Sequence, residues 1–357
     1  MSRPSLTAVA ARRNRAQAAR GGSATACAFA LTRARRAADA GVVYAASVQR
    51  RTAKRILVAA ALLLPLAALL QSFRPAPLPE PAALTGDLPP ASPPAEMAMF
   101  HLPTGVTHRS AGFAYRGGSF GDARDFTMSA VLVQHPRGDL LIDTGFGRDI
   151  DAHFRAMPLF FRATTQYAAE RPAAEQLDAA GYRRERLRAI VLTHAHWDHV
   201  SGVPDFPGTP VLVPAEERRF IDAGGSLAAV ARSFADAHYE VYTFDGGPYL
   251  GFPASHDVHG DGSVVIVPAF GHTPGSVIVF VTLPGDRRWA FVGDLVWQAE
   301  GITERAERAW LLRMLADDDA EGVRANILRM AAIAARFPEI ALVPAHDARG
   351  FSKLPRM

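Results

Sequence analysis

Short apolar runs alternate with stretches of helical periodicity from about residue 97 onward. The apolar runs predict nine strands, at Ala130–Gln134, Asp139–Asp143, Ala189–Thr193, Val211–Val213, Glu240–Phe244, Val264–Phe270, Val277–Thr282, Trp289–Val292 and Ile340–Val343. The helical stretches predict helices at Ala173–Ala180, Ala215–Asp222, Leu227–His238 and Glu321–Phe337, the last capped by the charges of Asp317–Asp319. Several strands are apolar at nearly every position, which is typical of sheets covered on both faces. The pattern therefore predicts an α/β domain of two sheets flanked by helices.

The first 96 residues follow a different pattern. Residues 1–55 are rich in Arg and Ala and predict a disordered basic tail, and residues 74–96 contain eight prolines and predict an extended linker. Between them, residues 56–73 form an apolar run whose length falls between a signal-peptide core and a full membrane span. Because the run is apolar on all faces and no small-residue cleavage site follows it, we interpret it as one hydrophobic helix that anchors the chain in a membrane. A cleaved signal and a transit peptide are the alternatives.

Charge is divided unevenly along the chain. The formal net charge is +4, but residues 1–55 hold 12 basic residues and one acidic residue, and the rest of the chain holds 27 basic and 34 acidic residues. The tail is therefore +11 and the remainder −7. Four basic residues directly precede the apolar run and only Arg74 closely follows it, which places the domain outside the cytoplasm, on the periplasmic side, or in the medium if the run is cleaved. A domain with a net charge of −7 is also not expected to bind a nucleic acid.

A dense group of metal-ligating residues follows one of the predicted strands. Four potential ligands lie within six positions directly after Thr193: His194, His196, Asp198 and His199. At the end of a strand such side chains can fan out around one point, so this spacing predicts a metal site. The single cysteine, Cys27, lies in the tail, so the domain has only nitrogen and oxygen ligands, which suit Zn, Mn, Fe or Co.

The His-x-His-x-Asp-His motif resembles that of the metallo-β-lactamase superfamily. Four further segments resemble the family's other motifs, in chain order: Asp143-Thr144-Gly145, Gly271-His272-Thr273-Pro274-Gly275-Ser276, Gly293-Asp294 and Pro344-Ala345-His346. The resemblance spans roughly residues 98–350, within a hydrolase domain at 97–357. It implies an αββα sandwich of two mixed β-sheets flanked by helices, in agreement with the pattern of apolar runs.

The resemblance also implies a role for each motif residue. A first divalent ion would be bound by His194, His196 and His272, and a second by Asp198, His199 and His346. Asp294 would bridge the two ions, and zinc is expected at both positions. Asp143 is implied to orient a histidine ligand and not to bind metal itself. In this family a hydroxide held between two metal ions attacks a carbonyl or phosphoryl centre, and Asp198 and Asp294 are the expected catalytic carboxylates.

The spacing and identity of these residues favour some hydrolases over others. Asp294 disfavours the main zinc β-lactamases, which usually carry a Cys ligand, and the single-domain layout resembles the N-acyl-homoserine lactonases and the related organophosphate and arylester hydrolases. Glyoxalase II-like thioesterases share the same ligands and remain an alternative. A membrane-tethered binding protein with a retired site is the non-enzymatic alternative. The favoured function is hydrolysis of an ester or lactone, with an acyl lactone as one candidate.

Two apolar segments bear on the substrate. Arg148–Tyr167 and Thr303–Leu315 are unusually apolar for stretches that lie beside loops. They predict either the walls of a pocket for a small hydrophobic ester or lactone, or local packing of the core. Three tyrosines could supply a hydroxyl to the substrate carbonyl, and the sequence does not select among them: Tyr239, Tyr242 and Tyr249.

Overall fold

The structure is a computed structural model that describes the backbone of residues 7–357 and the side chains of residues 27–357. It divides into two compact units, Met1–Ala68 and Leu69–Met357. The first helix, α1, runs from Thr7 to Ser72. It includes most of the basic tail, which is rich in the strong helix formers Ala and Arg. Within the described residues, one helical stretch, Cys27–Ser72, is long and apolar enough to cross a membrane, with a mean hydropathy of 2.0 in its apolar window.

Twelve strands form two sheets in the described part of the second unit. The strands are β1 (Ala98–Ser110), β2 (Ala123–Gln134), β3 (Asp139–Ile142), β4 (Ala168–Ala169), β5 (Leu187–Val191), β6 (Val211–Pro214), β7 (Tyr239–Tyr242), β8 (His256–Asp257), β9 (Val264–Pro268), β10 (Val277–Leu283), β11 (Arg287–Gly293) and β12 (Ile340–Pro344). One sheet has the order β4-β1-β2-β3-β5-β6-β7 and the other β12-β11-β10-β9-β8. Both sheets contain parallel and antiparallel pairs, so both are mixed.

Eleven helices of the same unit pack around the sheets or connect their strands. They are α2 (Ala111–Ala114), α3 (Ile150–Ala156), α4 (Leu159–Thr164), α5 (Ala173–Ala179), α6 (Trp197–Val200), α7 (Ala215–Ala223), α8 (Ala229–Arg232), α9 (Glu300–Thr303), α10 (Trp310–Ala316), α11 (Ala320–Arg336) and α12 (Ala348–Phe351). The helix predicted over Leu227–His238 is much shorter than expected. It ends after Arg232, where the Ser233 hydroxyl donates back to the Val230 carbonyl and competes with continuation of the helix.

Three apolar layers explain why so many strands lack polar positions. One layer lies between the two sheets, where Val191 of β5 and Val279 of β10 are fully buried. A second lies between the first sheet and its helices, and a third lies between the second sheet and α11, where Ile278 and Ile333 are fully buried. Each sheet is thus covered on both faces, and the αββα sandwich expected from the sequence is confirmed.

The longest strand, β1, has no counterpart among the predicted strands. Its sequence contains Pro103 and Gly105, two residues that are depleted in strands, and it lacks a regular apolar alternation. The register against β2 shifts between these two residues, so the strand continues through an irregularity that accommodates them. Local propensity therefore argues against a strand here. Pairing with β2 over twelve positions stabilises it nevertheless.

The proline-rich segment 74–96 contains no helix or strand, and it packs against the domain. Leu78, Leu84 and Leu88 lie against the apolar layer beneath the second sheet. The Leu78 backbone nitrogen donates to the Arg305 carbonyl at 2.8 Å, and the Pro89 carbonyl accepts from the Arg288 guanidinium at 3.0 Å. The segment is therefore a strap held to the domain at several points.

Candidate metal centre

The predicted ligands follow the ends of four strands. His194, His196, Asp198 and His199 come after β5, His272 after β9, Asp294 after β11 and His346 after β12. Strands β9, β11 and β12 run in the same direction, because β10 is antiparallel to both β9 and β11, and β12 is parallel to β11. Their carboxyl ends therefore meet at one edge of the second sheet, and the structure brings this edge together with the loop after β5.

All seven predicted ligands contribute to three overlapping groups of donor atoms. Within each group the donor atoms lie within 4.8 Å of one another, and the groups are His194–His196–His272, His194–His199–Asp294 and Asp198–His199–His346. The first and third match the two ligand sets that the sequence motifs imply. Asp294 lies between them: its Oδ1 is 3.0 Å from His346 Nε2, and its Oδ2 is 3.5 Å from His272 Nε2.

Unpartnered buried atoms test whether these residues fit a metal. Within the described part of the chain, His196 Nε2, His199 Nε2 and Asp294 Oδ1 are buried and form no hydrogen bond of good geometry, although Asp294 Oδ1 has imidazole nitrogens 3.0 and 3.4 Å away. A buried polar atom without a partner is costly, and these atoms belong to the donor groups themselves. Imidazole nitrogens and carboxylate oxygens are good ligands for zinc and similar ions, so the donor set fits divalent metal binding.

The electrostatics of the cluster separate its histidines. Burial, reinforced by neighbouring imidazoles, lowers the pKa of His194 and of His196 well below the usual value. These two rings are therefore neutral at pH 7, the form that can bind a cation. Burial opposes protonation of His346 as well, but the Asp294 carboxylate outweighs it and raises the pKa of His346. His199 behaves in the same way because of the Asp143 and Asp198 carboxylates.

Asp143 contacts a predicted ligand and stands outside the three donor groups. Its Oδ2 accepts from His199 Nδ1 at 2.9 Å, and its Oδ1 accepts from the Thr193 backbone nitrogen at 2.7 Å. Asp143 has a φ of 53°, in the left-handed region that Asp tolerates better than most residues. This conformation directs the carboxylate at the start of the ligand loop, where it can fix the orientation of His199.

Gly293 allows two of the metal-site loops to come close together. A Cβ atom added to Gly293 would lie 2.9 Å from the Cβ of Thr193, and the φ of Gly293 is 53°. A side chain at this position would force apart the Thr193 loop and the strand that leads into Asp294. The glycine next to Asp294 therefore has a steric role in the site.

Asp317 and Arg308 are parts of the site that the sequence did not reveal. Asp319 caps α11 as expected, accepting from the Glu321 backbone nitrogen, but Asp317 accepts from His272 Nδ1 at 3.0 Å and forms an ion pair with Arg308. Arg308 also donates to the Asp294 carbonyl at 2.9 Å. Asp317 thus orients a predicted ligand from 45 positions away, a relation that no local pattern indicates.

Glu217 is a buried carboxylate that joins two ligand loops. Its oxygens accept from the Ala195 and Gly275 backbone nitrogens at 2.6 and 3.0 Å and from the Thr273 hydroxyl at 2.7 Å. Burial raises the pKa of Glu217 to about 7, although these hydrogen bonds oppose the shift. The sequence carries a signal for this residue, because Glu217 lies three and four positions before Phe220 and Ile221, on the apolar face of α7.

Glu217→Gln is expected to lower the free energy of unfolding by about 1–3 kcal/mol at pH 8, because the amide NH₂ leaves a buried N–H without an acceptor. The folded state raises the pKa of this carboxyl from 4.5 to about 7, so its contribution to stability falls as pH rises through that interval. Denaturant unfolding of the metal-free protein measures the change. Glu216→Gln, at the partly exposed neighbour that pairs with Arg219, is the matched control, and equal effects of the two variants would contradict the assignment.

The two apolar segments each contain both core and surface residues. Phe154 and Phe161 pack around Trp197, with ring centroids 5.6 and 5.7 Å from it, whereas Leu159 and Phe160 between them are exposed. Trp197 itself is buried in the core beneath the ligand loop.

A small pocket between the two sheets reaches the half of the site that contains Asp198, His199 and His346, and its lining includes Val131 and Phe291. Of the three tyrosines considered, Tyr239 donates its hydroxyl to the Ala231 carbonyl, and Tyr242 and Tyr249 are buried.

Comparison with known proteins decides the family. A sequence model described as the metallo-beta-lactamase superfamily matches residues 124–346, more than half of the chain. The chain belongs to this superfamily. A probable metallo-hydrolase of Mycobacterium tuberculosis is 32% identical over 236 residues, which cover 61% of this chain and 73% of the relative. Family and relatives together identify the protein as a hydrolase, as the sequence motifs predict.

More distant superfamily members share the fold. The N-acyl homoserine lactonase AttM of Rhizobium radiobacter is 23% identical over 197 residues, covering 52% of this chain and 72% of the relative. A solved N-acyl homoserine lactone hydrolase, with the product N-hexanoyl-L-homoserine at its catalytic metal centre, superposes with a TM-score of 0.57 at 17% identity, covering 72% of this chain and 96% of that chain. At this identity the superposition demonstrates a common fold.

Proposed function

We propose that the domain hydrolyses a small ester or lactone with two divalent metal ions, zinc at both positions, bound by the seven clustered side chains. The observation that carries this proposal is the overlap of the three donor groups, since His194 and His199 each belong to two of them. A single isolated group would serve one ion, whereas a continuous run of overlapping groups offers donors for two neighbouring ions.

Each ligand set has its own supporting contacts. One ion would be held by His194, His196 and His272, and the other by Asp198, His199 and His346. Asp294 would reach both ions. Ions held by these residues would supply a water with its pKa lowered toward about 7 and would polarise a substrate carbonyl. Asp143 would fix the His199 ring, Asp317 the His272 ring, and the Thr127 carbonyl the His346 ring through His346 Nδ1 at 3.0 Å.

Asp198 is suited to proton transfer. It is the least buried of the seven side chains, and its Oδ2 lies 3.4 Å from His346 Nε2. A carboxylate at the open side of the site can hold a proton and deliver it to the leaving alkoxide of an ester or lactone. The chain's own contribution to the reaction is thus to orient the ligands and to move this proton.

Three observations support a hydrophobic, uncharged substrate. The pocket beside Asp198 has a largely apolar lining, and exposed apolar side chains lie on α4 and α10 near the site. Residues 56–357 carry a net charge of −7, which disfavours a polyanion. The resemblance to N-acyl homoserine lactonases makes an acyl lactone the first substrate to test.

A hydrolysis panel on the full-length protein tests the proposal. Zinc, manganese and cobalt are supplied in turn, and the substrates are acyl-homoserine lactones, arylesters, S-lactoylglutathione and phosphotriesters. We expect about two metal ions per chain by elemental analysis and the fastest turnover on lactones or esters. Metal-replete protein that is inactive on the whole panel would overturn the proposal, and preference for the thioester or the phosphotriester would transfer it to those substrates.

We also propose that residues 56–73 anchor the chain in a membrane with the hydrolase domain outside the cytoplasm. The apolar stretch within α1 and the excess of basic residues before it support this orientation. Membrane fractionation followed by protease treatment of spheroplasts is expected to find full-length protein in the membrane fraction and a protease-accessible domain. Uncleaved protein in the soluble fraction would contradict the anchor.

A further inference from the structure

Exposed apolar side chains of the hydrolase unit concentrate in three short segments. Helix α4 exposes 73% of Leu159 and 66% of Phe160, and α10 exposes 63% of Met314 and 49% of Trp310. The turn between α2 and β2 exposes 56% of Phe120. Single exposed apolar residues are common on soluble proteins, but clusters of them mark surfaces that contact another apolar phase.

Two of these segments border the metal centre. Phe161 of α4 packs on Trp197, inside the ligand loop, with ring centroids 5.7 Å apart. Helix α10 ends at Ala316, directly before Asp317, whose carboxylate accepts from His272. Helix α4 therefore contacts the ligand loop through Trp197, and α10 leads into the residue that binds His272.

Hydrogen bonds tie these two segments to the third. The Arg109 guanidinium, at the end of β1 just before α2, donates to the Thr164 carbonyl at the end of α4 at 2.9 Å. On the other side, the Arg116 backbone nitrogen donates to the Glu307 carbonyl at 2.8 Å, shortly before α10 begins. The turn after α2 is thus linked to α4 through Arg109 and to the segment before α10 through Arg116, and we refer to these three segments together as the rim.

The rim is joined to the end of the apolar run. The Phe73 ring packs against Phe120 and Phe113, with centroid distances of 5.1 and 6.5 Å, and the Gly117 backbone nitrogen donates to the Phe73 carbonyl at 2.9 Å. A free 23-residue linker could extend to about 75 Å. Here Phe73, the last residue of the apolar run, touches the rim itself, so no free linker separates the end of the run from the rim.

We infer that the rim formed by α4, α10 and the α2–β2 turn docks on the lipid bilayer, so that hydrophobic substrate enters the metal site from the membrane. This inference rests on the proposed anchor and on the proposed hydrophobic substrate. Exposed Arg74, Arg155 and Arg162, beside Phe73 and on or next to α4, are placed to meet anionic headgroups. Trp310 has the amphipathic ring that is favoured at a membrane interface.

Fluorescence quenching of Trp310 tests the docking without any need for turnover. The full-length protein is reconstituted in phosphatidylcholine–phosphatidylglycerol vesicles with either ordinary or brominated acyl chains, and Trp310→Phe isolates the Trp310 signal from the other three tryptophans. We expect brominated lipid to quench Trp310 and the bilayer to protect it from aqueous acrylamide. Quenching by acrylamide alone would overturn the inference, as would protection from both quenchers, which would mean that a second copy covers the rim.

Matched surface variants complete the test. The triple change Leu159→Ser, Phe160→Ser, Met314→Ser is expected to abolish the quenching of Trp310 by brominated lipid, whereas Val241→Ser, at a residue 50% exposed on β7, leaves it unchanged. Unchanged quenching in the triple variant would contradict docking through this rim. Lipid quenching in a protein that is inactive on the substrate panel would refute the proposed substrate and keep the docking, so the two failures are distinguishable.

Discussion

Asp294→Asn is expected to lower kcat/KM on the best substrate about a thousand-fold, which corresponds to about 4 kcal/mol of transition-state stabilisation. One carboxylate serves both halves of the proposed centre: its Oδ1 lies 3.4 Å from His199 Nε2 and 3.0 Å from His346 Nε2, and its Oδ2 faces His272. An amide carries no charge and offers one good ligand atom, so it cannot bridge two cations. Steady-state kinetics and elemental analysis after dialysis measure the loss of rate and of metal together.

The matched control for Asp294 is another buried carboxylate in the same domain. Asp261 is also largely buried and pairs with His135 and Arg137, but no ligand of the proposed centre is among these partners. Asp261→Asn is therefore expected to keep the bound metal. If Asp294→Asn kept both its metal and its rate, Asp294 would have no part in the centre.

Arg308→Met is expected to lower the free energy of unfolding by about 3–5 kcal/mol, because it leaves a buried carboxylate without its cation. The side chains of Arg308 and Asp317 are 2% and 1% exposed, and the Arg308 guanidinium also lies 4.8 Å from the centre of the Trp297 ring. Denaturant unfolding in the presence of a chelator measures this change separately from any loss of metal.

Two further variants show whether the loss comes from the unpaired charge. Adding Asp317→Leu to Arg308→Met removes both charges and is expected to recover part of the stability. Arg336→Met removes a half-exposed arginine 4.0 Å from Asp87 and is expected to cost less than about 1 kcal/mol. A loss in Arg308→Met no larger than that in Arg336→Met would contradict the role of the buried pair.

The sequence predicts those features of the site that are local and misses those that depend on the fold. His194, His196, Asp198 and His199 are recognisable because four donors share one short loop. The contribution of Asp317 is invisible in sequence, since it arises only when the end of α10 meets the loop after β9. Glu217 carries only the weak signal of an acidic residue on an apolar helix face.

The same distinction holds for the fold. Buried strands such as β10 are clear from their continuous apolar residues. Strand β1 is not recognisable in the sequence, because its stability comes from pairing with β2 and not from the propensities of Pro103 and Gly105.

The strap at residues 74–96 decides how the enzyme can be shortened for solution work. A recombinant protein that begins at Met97 would lack Leu78, Leu84 and Leu88 and would uncover the apolar surface on which they pack. It would also lose the backbone bond from Leu78 to Arg305. Such a truncation invites aggregation through the uncovered patch, whereas a chain that starts at Arg74 keeps the strap and omits the apolar run.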